Sequence, residues 1–204
     1  MDYSKFKDKE NIELLLLKYE FAKKLLETEL DILLKEYEFK NNYNPVEHIK
    51  SRIKSSDSVI KKLERRGYDL TTSNLINHVH DMIGIRIVCS FLSDVKSVVN
   101  VLKLSKLFKI QDERDYISNP KDSGYISYHM NVLVPIHLQD NTEYIEAEIQ
   151  IRTIAMDFWA SLDHKLRYKT KKRIPKELKE EVYNFSQVIN DLDLKMENLR
   201  KKMI

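Results

Sequence analysis

The sequence is poor in several residue types, and each shortage excludes a class of protein. One cysteine, Cys89, occurs among 204 residues, which excludes a framework of intrachain disulfides. Only three glycines occur, and neither a Walker-type phosphate loop nor a G-x-G-x-x-G fingerprint is present. No apolar run approaches the roughly 20 residues that a membrane-spanning helix needs. If the chain binds phosphate groups, side chains rather than a glycine-rich backbone must hold them.

Net charge and chain length further limit the class of protein, its location and its number of domains. The 35 basic and 32 acidic residues leave a formal charge of +3, too mild an excess to indicate a nucleic-acid-binding protein. The N-terminus is polar, unlike a secretory signal, and a lone cysteine within an apolar run suits a reducing compartment. We therefore expect a cytoplasmic protein with no membrane partner. The length predicts a single domain over 1–204, with a core of about 44–170 and helical extensions at 8–40 and 154–204.

The spacing of apolar residues predicts the order of helices and strands. Helical periodicity predicts a long helix at about 11–39, shorter helices after residue 55, at about 72–79 and at about 92–107, and a helical region at 154–204 broken near Ile174-Pro175. Strands are predicted at 48–54, 83–89, within 108–117, at 129–135 and at 143–153, the last two as an antiparallel hairpin. Because strands and helices intermix, the predicted fold class is α/β (α+β), a mixed β-sheet flanked by helices.

Two of the predicted strands carry polar side chains along one face. In strand 48–54 the alternate residues are cationic: Lys50, Arg52 and Lys54. In strand 143–153 they are Glu146, Glu148, Gln150 and Arg152. Asp81 opens the strand that continues through Arg86. If that strand neighbours the one bearing Glu148, the two carboxylates can hold one Mg²⁺ while the cationic face binds a polyphosphate. The alternative is an ordinary solvent-exposed sheet face.

His80 and Asp81 form an HD dipeptide, which offers a competing interpretation. Metal-dependent phosphohydrolases of the HD type use such a pair on a helix together with further histidines. The other histidines, at positions 48, 78, 129, 137 and 164, do not assemble that pattern. We therefore favour phosphoryl transfer, which requires carboxylates and a cationic cradle.

Five segments occur in one order over about residues 44–170: HIKSRIKS (48–55), DMIGIRIVCSF (81–91), NPKDSGYISYH (119–129), EAEIQIRT (146–153) and AMDFWASLDHKLRYK (155–169). Together they resemble the synthetase domain of the RelA/SpoT alarmone-synthetase family, and most of all its small single-domain members of the RelQ type. The resemblance implies a nucleotidyltransferase-like fold with no hydrolase domain. It also implies a (p)ppGpp synthetase that transfers a diphosphate from ATP to the 3′-hydroxyl of GDP or GTP in stringent-response signalling.

The resemblance further implies a role for each matching residue. Asp81 and Glu148 would hold Mg²⁺, and Glu148 would act as the base for the acceptor hydroxyl. The ATP-binding residues would be Arg52 and Arg86 around the adenine, with Lys54, Ser58 and Lys62 at the triphosphate. The GDP- or GTP-binding residues would be Tyr125 stacked on guanine, Arg114, Lys121 and His129 at the 5′-phosphates, and Gln150 and Asp163 nearby. Three residues depart from the family pattern and bear on acceptor choice: Ile126, Tyr128 and Asp163.

The C-terminal region adds expectations about packing and partners. Trp159, Phe158 and Leu162 are expected in the core. An oligomer, with a tetramer common among the small members, is expected to form through the long first helix and the C-terminal helices. The expected packing face includes Val182, Phe185, Ile189, Leu192 and Leu194. The alternative is that these helices pack within one subunit. Regulation by (p)ppGpp, or by single-stranded RNA at the basic segment 166–173, stays open. Three rival functions also stay open: a nucleic-acid-binding module, transfer to another acceptor, and a non-catalytic sensor.

Overall fold

The order of elements matches the sequence prediction closely. The computed structural model describes residues 3–169 and 175–203. Its elements are α1 (Lys9–Asn41), β1 (Val46–Ile53), α2 (Ser56–Arg65), α3 (Thr72–His78), β2 (Ile83–Cys89), α4 (Leu92–Leu102), β3 (Lys109–Asp115), β4 (Tyr128–His137), β5 (Thr142–Thr153), α5 (Ile154–Lys169) and α6 (Lys176–Met203). The predicted helix at 92–107 is too long, because the Ser105 hydroxyl accepts the N–H of Leu107 at 3.1 Å and closes a turn beyond Leu102.

The five strands form one mixed sheet in the order β1-β2-β5-β4-β3. The β2 and β5 strands pair in parallel, whereas the other three pairings are antiparallel. The predicted hairpin is confirmed as β4 and β5, joined by a short turn. Strand β5 therefore lies at the centre of the sheet, between the strand that follows Asp81 and its own hairpin partner.

One face of the sheet is apolar and packs against α1 and α4. Along β5 the residues on this face are at most 7% exposed: Ile145, Ala147, Ile149 and Ile151. The facing residues of α1 recur every three or four positions and are buried: Ile12, Leu15, Tyr19, Ala22, Leu26, Leu30 and Leu34. Burial of each large aliphatic side chain contributes about 1.5–3 kcal/mol. Because successive side chains of a strand point to opposite faces, packing of this apolar face places the alternate residues on the other face of the sheet.

Polar contacts hold α6 against the sheet and α4. The buried residues of α6 are Ser186, Asp193 and Glu197. The Asp193 carboxyl is 2.6 Å from the Thr153 hydroxyl, and Arg200 forms an ion pair with buried Asp94 at 2.6 Å. Burial raises the pKa of Asp193 to about 6, although the hydrogen bond from Thr153 opposes that rise. The buried residues of α6 are therefore polar, whereas most of its large apolar residues are exposed.

The expected burial around Trp159 is confirmed only in part. Trp159 is 6% exposed, and its ring N–H donates to the backbone carbonyl of Val182 at 3.1 Å. Phe158 and Leu162 were expected in the core but are 58% and 43% exposed. They line an apolar groove between α5 and α6 together with Phe185. The expectation is wrong because α5 has apolar residues on two faces, and the sheet buries only one of them.

Two sequence features fall at the gap between the described segments. Residues 170–173 of the basic segment 166–173 and Ile174 of the predicted helix break lie outside the described residues. Of the helices that the structure describes, none combines the length and the apolar character required to cross a bilayer.

Gly124 lies where the loop before β4 contacts α6, and its substitution should be costly. Its φ is +81°, and a Cβ at this position would overlap the Ser186 hydroxyl and lie 2.7 Å from the Ser186 Cβ. Gly67 has a similar φ of +74° with open space around it. We expect Gly67→Ala to destabilise the protein by about 1–2 kcal/mol through backbone strain. Gly124→Ala should cost about 1–3 kcal/mol more, because overpacking adds to the strain.

Urea denaturation of the two variants and the wild type measures this difference. Gly67→Ala is the matched control for backbone strain without a steric clash. Equal unfolding free energies for the two variants would contradict the close contact between the loop and α6.

Candidate active site

The strand register gathers polar side chains into two rows across the exposed face of the sheet. The first row, read from β1 to β3, is Arg52, Gly84, Glu148, Asn131 and Asp112. The second row is Lys50, Arg86, Gln150, His129 and Arg114. Directly paired residues share a face, so each row brings together groups that are far apart in the sequence. The predicted neighbourhood of β2 and the Glu148 strand is thereby confirmed.

Asp81 lies in the turn that leads into β2, and two lysines neutralise it. The Lys54 ammonium is 2.5 Å from one carboxylate oxygen, and the Lys62 ammonium is 2.8 Å from the other. Burial would raise the pKa of Asp81, but the hydrogen bonds and charges of these lysines outweigh it and lower the pKa to about 2. Asp81 is therefore a carboxylate at neutral pH, with a donor at each oxygen.

Glu148, at the centre of the first row, is also held at both carboxylate oxygens. His129 Nδ1 lies 2.9 Å from Oε1, and the Gln150 side-chain amide donates to Oε2 at 2.6 Å. Burial and the charge of Asp81 act to raise the pKa of Glu148, but the hydrogen bonds and the His129 charge lower it below its ordinary value. Glu148 is therefore ionised and fixed in direction.

The second row continues into a cluster around Tyr125. The Tyr125 hydroxyl is 2.7 Å from His129 Nε2 and accepts a hydrogen bond from Arg152 Nη2 at 2.5 Å. Burial raises the pKa of Tyr125, while the Arg152 charge opposes the rise. The Lys121 ammonium lies 4.3 Å from the ring centre of Tyr116 and 5.1 Å from that of Tyr125. An aromatic and cationic surface thus adjoins the carboxylate of Glu148.

Two cavities open on this face, and both are of a size that accommodates small ligands. The first measures about 650 Å³ and is lined by Arg52, Arg86, Tyr125, Gln150, Arg152 and Asp163, among others. The second measures about 500 Å³ and is lined by Lys62, Asp81, Arg114, Asn131, Glu146 and Glu148, among others. The hydrogen bond from Gln150 to Glu148 joins them. Aromatic and planar cationic groups collect in the first cavity, and carboxylates with cations collect in the second.

The structure brings most of the predicted site residues together. Arg114 pairs with His129 in the register and lies in the second cavity, where its Nε donates to Asp112 at 2.8 Å. Ser58 stands apart from the carboxylates. Its hydroxyl pairs with that of Ser55 at 2.9 Å, one helical turn before Lys62.

Sequence reasoning overlooked two residues of the site. Arg152 was placed on the polar face of its strand but given no role, although it is only 4% exposed and contacts Tyr125. Asp157 accepts from both Arg86, at 3.0 Å, and Arg152, at 3.2 Å. The alternation of polar and apolar residues along β5 was the sequence signal that could have identified Arg152 as a site residue. Nothing in the sequence pattern indicated Asp157, because its partners come from two different strands.

The HD interpretation does not fit the geometry. His80 and Asp81 lie in a turn after α3 rather than on a helix, and His80 Nδ1 is 2.7 Å from Glu146. Within the described ranges, no group of three or more histidine, cysteine, aspartate or glutamate residues is arranged to hold a metal ion.

Two ionised carboxylates that line one cavity, with cations around them, are the groups that phosphoryl transfer requires. The chain belongs to the RelA/SpoT family, since residues 51–173 match the family described as "Region found in RelA / SpoT proteins". The resemblance drawn from the sequence motifs is thus confirmed.

Three relatives extend the comparison over nearly the whole chain. GTP pyrophosphokinase YwaC of Bacillus subtilis (strain 168) is 46% identical over 188 residues, which make up 92% of this chain and 90% of that protein. Small alarmone synthetase 2 from Bacillus subtilis has a TM-score of 0.83 at 44% identity, covering 94% of this chain and 99% of the other. Small alarmone synthetase 1 of the same species, bound to its product pppGpp, has a TM-score of 0.84 at 34% identity, with coverages of 96% and 98%.

The pairing of Asp81 with two lysines predicts a pH-dependent contribution to stability. Because the pKa of Asp81 is lowered to about 2, its contribution is complete above the unfolded pKa of about 4 and is lost as the pH falls towards 2. We expect Asp81→Asn to cost roughly 1 kcal/mol at pH 7, after allowance for partial exposure. The difference from wild type should shrink between pH 4 and pH 2.

Urea denaturation at pH 7, 4 and 2.5 measures this difference. Asp69→Asn is the matched control, because Asp69 pairs with Lys7 on the open surface, where both side chains are more than 60% exposed. A gap between Asp81→Asn and wild type that stays constant down to pH 2.5 would contradict the assignment.

Proposed function

We propose that this chain is a GTP pyrophosphokinase, which transfers the β,γ-diphosphate of ATP to the 3′-hydroxyl of GDP or GTP. The products are AMP and ppGpp or pppGpp, the alarmones of the stringent response. The observation that carries the proposal is the position of Glu148, an ionised carboxylate that lines the second cavity and is hydrogen-bonded to Gln150 of the first. The 46% identity with a GTP pyrophosphokinase supports it. Residues 1–204 would act as one synthetase domain.

The first cavity suits the two nucleobases. Arg52 and Arg86 present planar guanidinium groups, which stack on aromatic rings, and we assign them to the adenine of ATP. Tyr125 lines the same cavity and is assigned to the guanine of the acceptor, with Gln150 and Asp163 beside it. Planar cationic and aromatic groups thus favour two stacked bases in this space.

The second cavity suits the phosphates. Lys54 and Lys62 each contact Asp81, and we assign both, with Ser58 on the same helix as Lys62, to the triphosphate of ATP. Arg114 and its register partner His129 are assigned with Lys121 to the 5′-phosphates of the acceptor. The charges of the lysines and of Arg114 offset the negative charge that accumulates when two polyphosphates meet.

Mg²⁺ fits the two carboxylates that face the second cavity. Asp81 and Glu148 both have lowered pKa values, so they offer ionised oxygen donors of the kind that Mg²⁺ prefers. Two protein ligands suffice for an ion that takes its other ligands from phosphates and water. Bound there, Mg²⁺ would add positive charge at the transferring diphosphate. Lys54 and Lys62 contact the oxygens of Asp81, so the triphosphate must draw them away.

Glu148 is the proposed general base. Its ionised state at neutral pH allows it to accept the proton of the 3′-hydroxyl as that oxygen attacks the β-phosphorus of ATP. His129 and Gln150 hold its two oxygens, so its orientation is set before substrates bind. Much of the rate enhancement then comes from holding the hydroxyl and the β-phosphorus in line.

A homo-oligomer, with four chains as the proposed number, is supported by exposed apolar residues on two helices. On α1 they recur at helical spacing: Leu14, Leu17, Phe21, Leu25 and Ile32. On α6 they include Phe185, Val188, Leu192, Leu194 and Leu199. Large exposed apolar stripes mark association surfaces. Light scattering should give the mass of four chains of 24.3 kDa, and the mass of one chain would contradict the proposal.

Since the substrates are cytoplasmic nucleotides, we propose a cytoplasmic location.

Substitution of Glu148 by glutamine tests the function. Incubation with Mg²⁺, ATP and one of GDP, GTP or AMP, followed by anion-exchange chromatography, should give AMP in step with a guanosine tetra- or pentaphosphate from wild type. Glu148→Gln should lower the turnover rate at least about 100-fold, because removal of a general base typically costs 10²–10⁴.

Glu143→Gln is the matched control, since Glu143 is on the same strand and pairs with Lys18 at 2.7 Å, away from both cavities. It should retain wild-type turnover. Transfer to AMP in place of a guanosine nucleotide would contradict the assignment of the acceptor. Undiminished turnover by folded Glu148→Gln would contradict the assignment of Glu148 as the general base.

A further inference from the structure

The hydrogen bonds around Glu148 close into a ring of five residues. One arm runs from Glu148 Oε1 to His129 at 2.9 Å, and from His129 to the Tyr125 hydroxyl at 2.7 Å. The other arm runs from Glu148 Oε2 to the Gln150 amide nitrogen at 2.6 Å. Arg152 closes the ring, because its Nη2 donates to the Tyr125 hydroxyl at 2.5 Å and to the Gln150 carbonyl oxygen at 2.7 Å. A single nitrogen of Arg152 is thus the common origin of both arms.

The chemistry of the two ends fixes the direction of the hydrogen bonds that Arg152 and Glu148 make. A guanidinium only donates hydrogen bonds, and an ionised carboxylate only accepts them. Gln150 therefore accepts from Arg152 with its oxygen and donates to Glu148 with its nitrogen, which sets the amide orientation. Along the other arm, His129 donates to Glu148 from Nδ1, and its Nε2 lies 2.7 Å from the Tyr125 hydroxyl. Each oxygen of Glu148 is consequently held by a donor that connects to Arg152, directly for Gln150 and through Tyr125 for His129.

Arg152 is anchored independently of the ring. Its side chain is 4% exposed, its Nε donates to the Ser127 hydroxyl at 3.2 Å, and its Nη1 pairs with Asp157 at 3.2 Å. Asp157 also pairs with Arg86 at 3.0 Å. A buried cation requires such pairing, and the pairing holds it in place. Lysine cannot replace these contacts, because it has one donor nitrogen in place of the planar fork.

We propose that Arg152 is a positioning residue that fixes the Glu148 carboxylate and the Tyr125 ring relative to each other. The inference rests on the proposed function, in which the acceptor base stacks on Tyr125 while its 3′-hydroxyl faces Glu148. One rigid connection between the two groups sets the distance between the bound base and the general base. Arg152 acts through Tyr125, His129 and Gln150 rather than as a proton acceptor.

The test is Arg152→Lys, which retains the charge and opens the ring. Displacement of reacting groups by about 1 Å costs roughly 100-fold in rate, so kcat should fall about 100-fold. The KM for the guanosine acceptor should rise more than the KM for ATP, because the acceptor base stacks on Tyr125, a direct partner of Arg152. Arg65→Lys, on the exposed end of α2, is the matched control and should behave like wild type.

Tyr125→Phe provides a second variant that keeps the aromatic ring and removes only the hydroxyl in the ring of hydrogen bonds. It should also lower kcat, and the double variant with Arg152→Lys should be little worse than Arg152→Lys alone, since both changes break the same arm. Near-UV circular dichroism checks that each variant is folded. Losses that multiply in the double variant, or an unchanged kcat in folded Arg152→Lys, overturn the inference. Absence of diphosphate transfer by wild type would instead overturn the proposed function itself.

Discussion

The position of β5 at the centre of the sheet is the constraint on which the rest of the structure depends. Its side chains alternate between the apolar core and the polar face, so a slip of one residue would bury Glu148 and expose Ile149. Parallel pairing with β2 places Asp81 near Glu148, and the hairpin with β4 places His129 beside Gln150. The core packing of α1 and α4 against the opposite face therefore determines the geometry of the site, although neither helix contributes a side chain to it.

Neighbouring donors compensate the charges of the two carboxylates on this polar face. Each carboxylate has donors at both oxygens: two lysines at Asp81, and His129 with Gln150 at Glu148. Burial alone would raise the pKa values of these half-buried carboxylates, whereas the observed partners hold both values down. The two sets of partners differ in character. Two separate lysines contact Asp81, while a closed ring of hydrogen bonds through Arg152 holds Glu148.

The sequence predicted the fold more completely than the site. Alternation identified β1 and β5 and their polar faces, although only β5 buries its apolar side, whereas the residues of β1 are exposed or half-buried. Family motifs then brought Asp81, Glu148 and Tyr125 into one hypothesis. Pattern alone did not reveal the contact between Asp157 and two arginines, which depends on the direction in which α5 leaves the sheet. The sequence did not reveal the exposure of Phe158 either. Periodicity shows that a helix face is apolar, but it does not show whether another element covers that face.

Isotopic labelling of ATP tests the central claim most directly, because the two cavities are proposed to align the acceptor hydroxyl with the β-phosphorus. Wild-type protein is incubated with Mg²⁺, GDP and ATP labelled at either the α- or the γ-phosphorus, and the nucleotides are separated. The account predicts that γ-label appears in a guanosine tetraphosphate while α-label remains entirely in AMP. Release of ADP with γ-label on the guanosine product would mean transfer of a single phosphate, and α-label on that product would mean nucleotidyl transfer. Either result would contradict diphosphate transfer at this site.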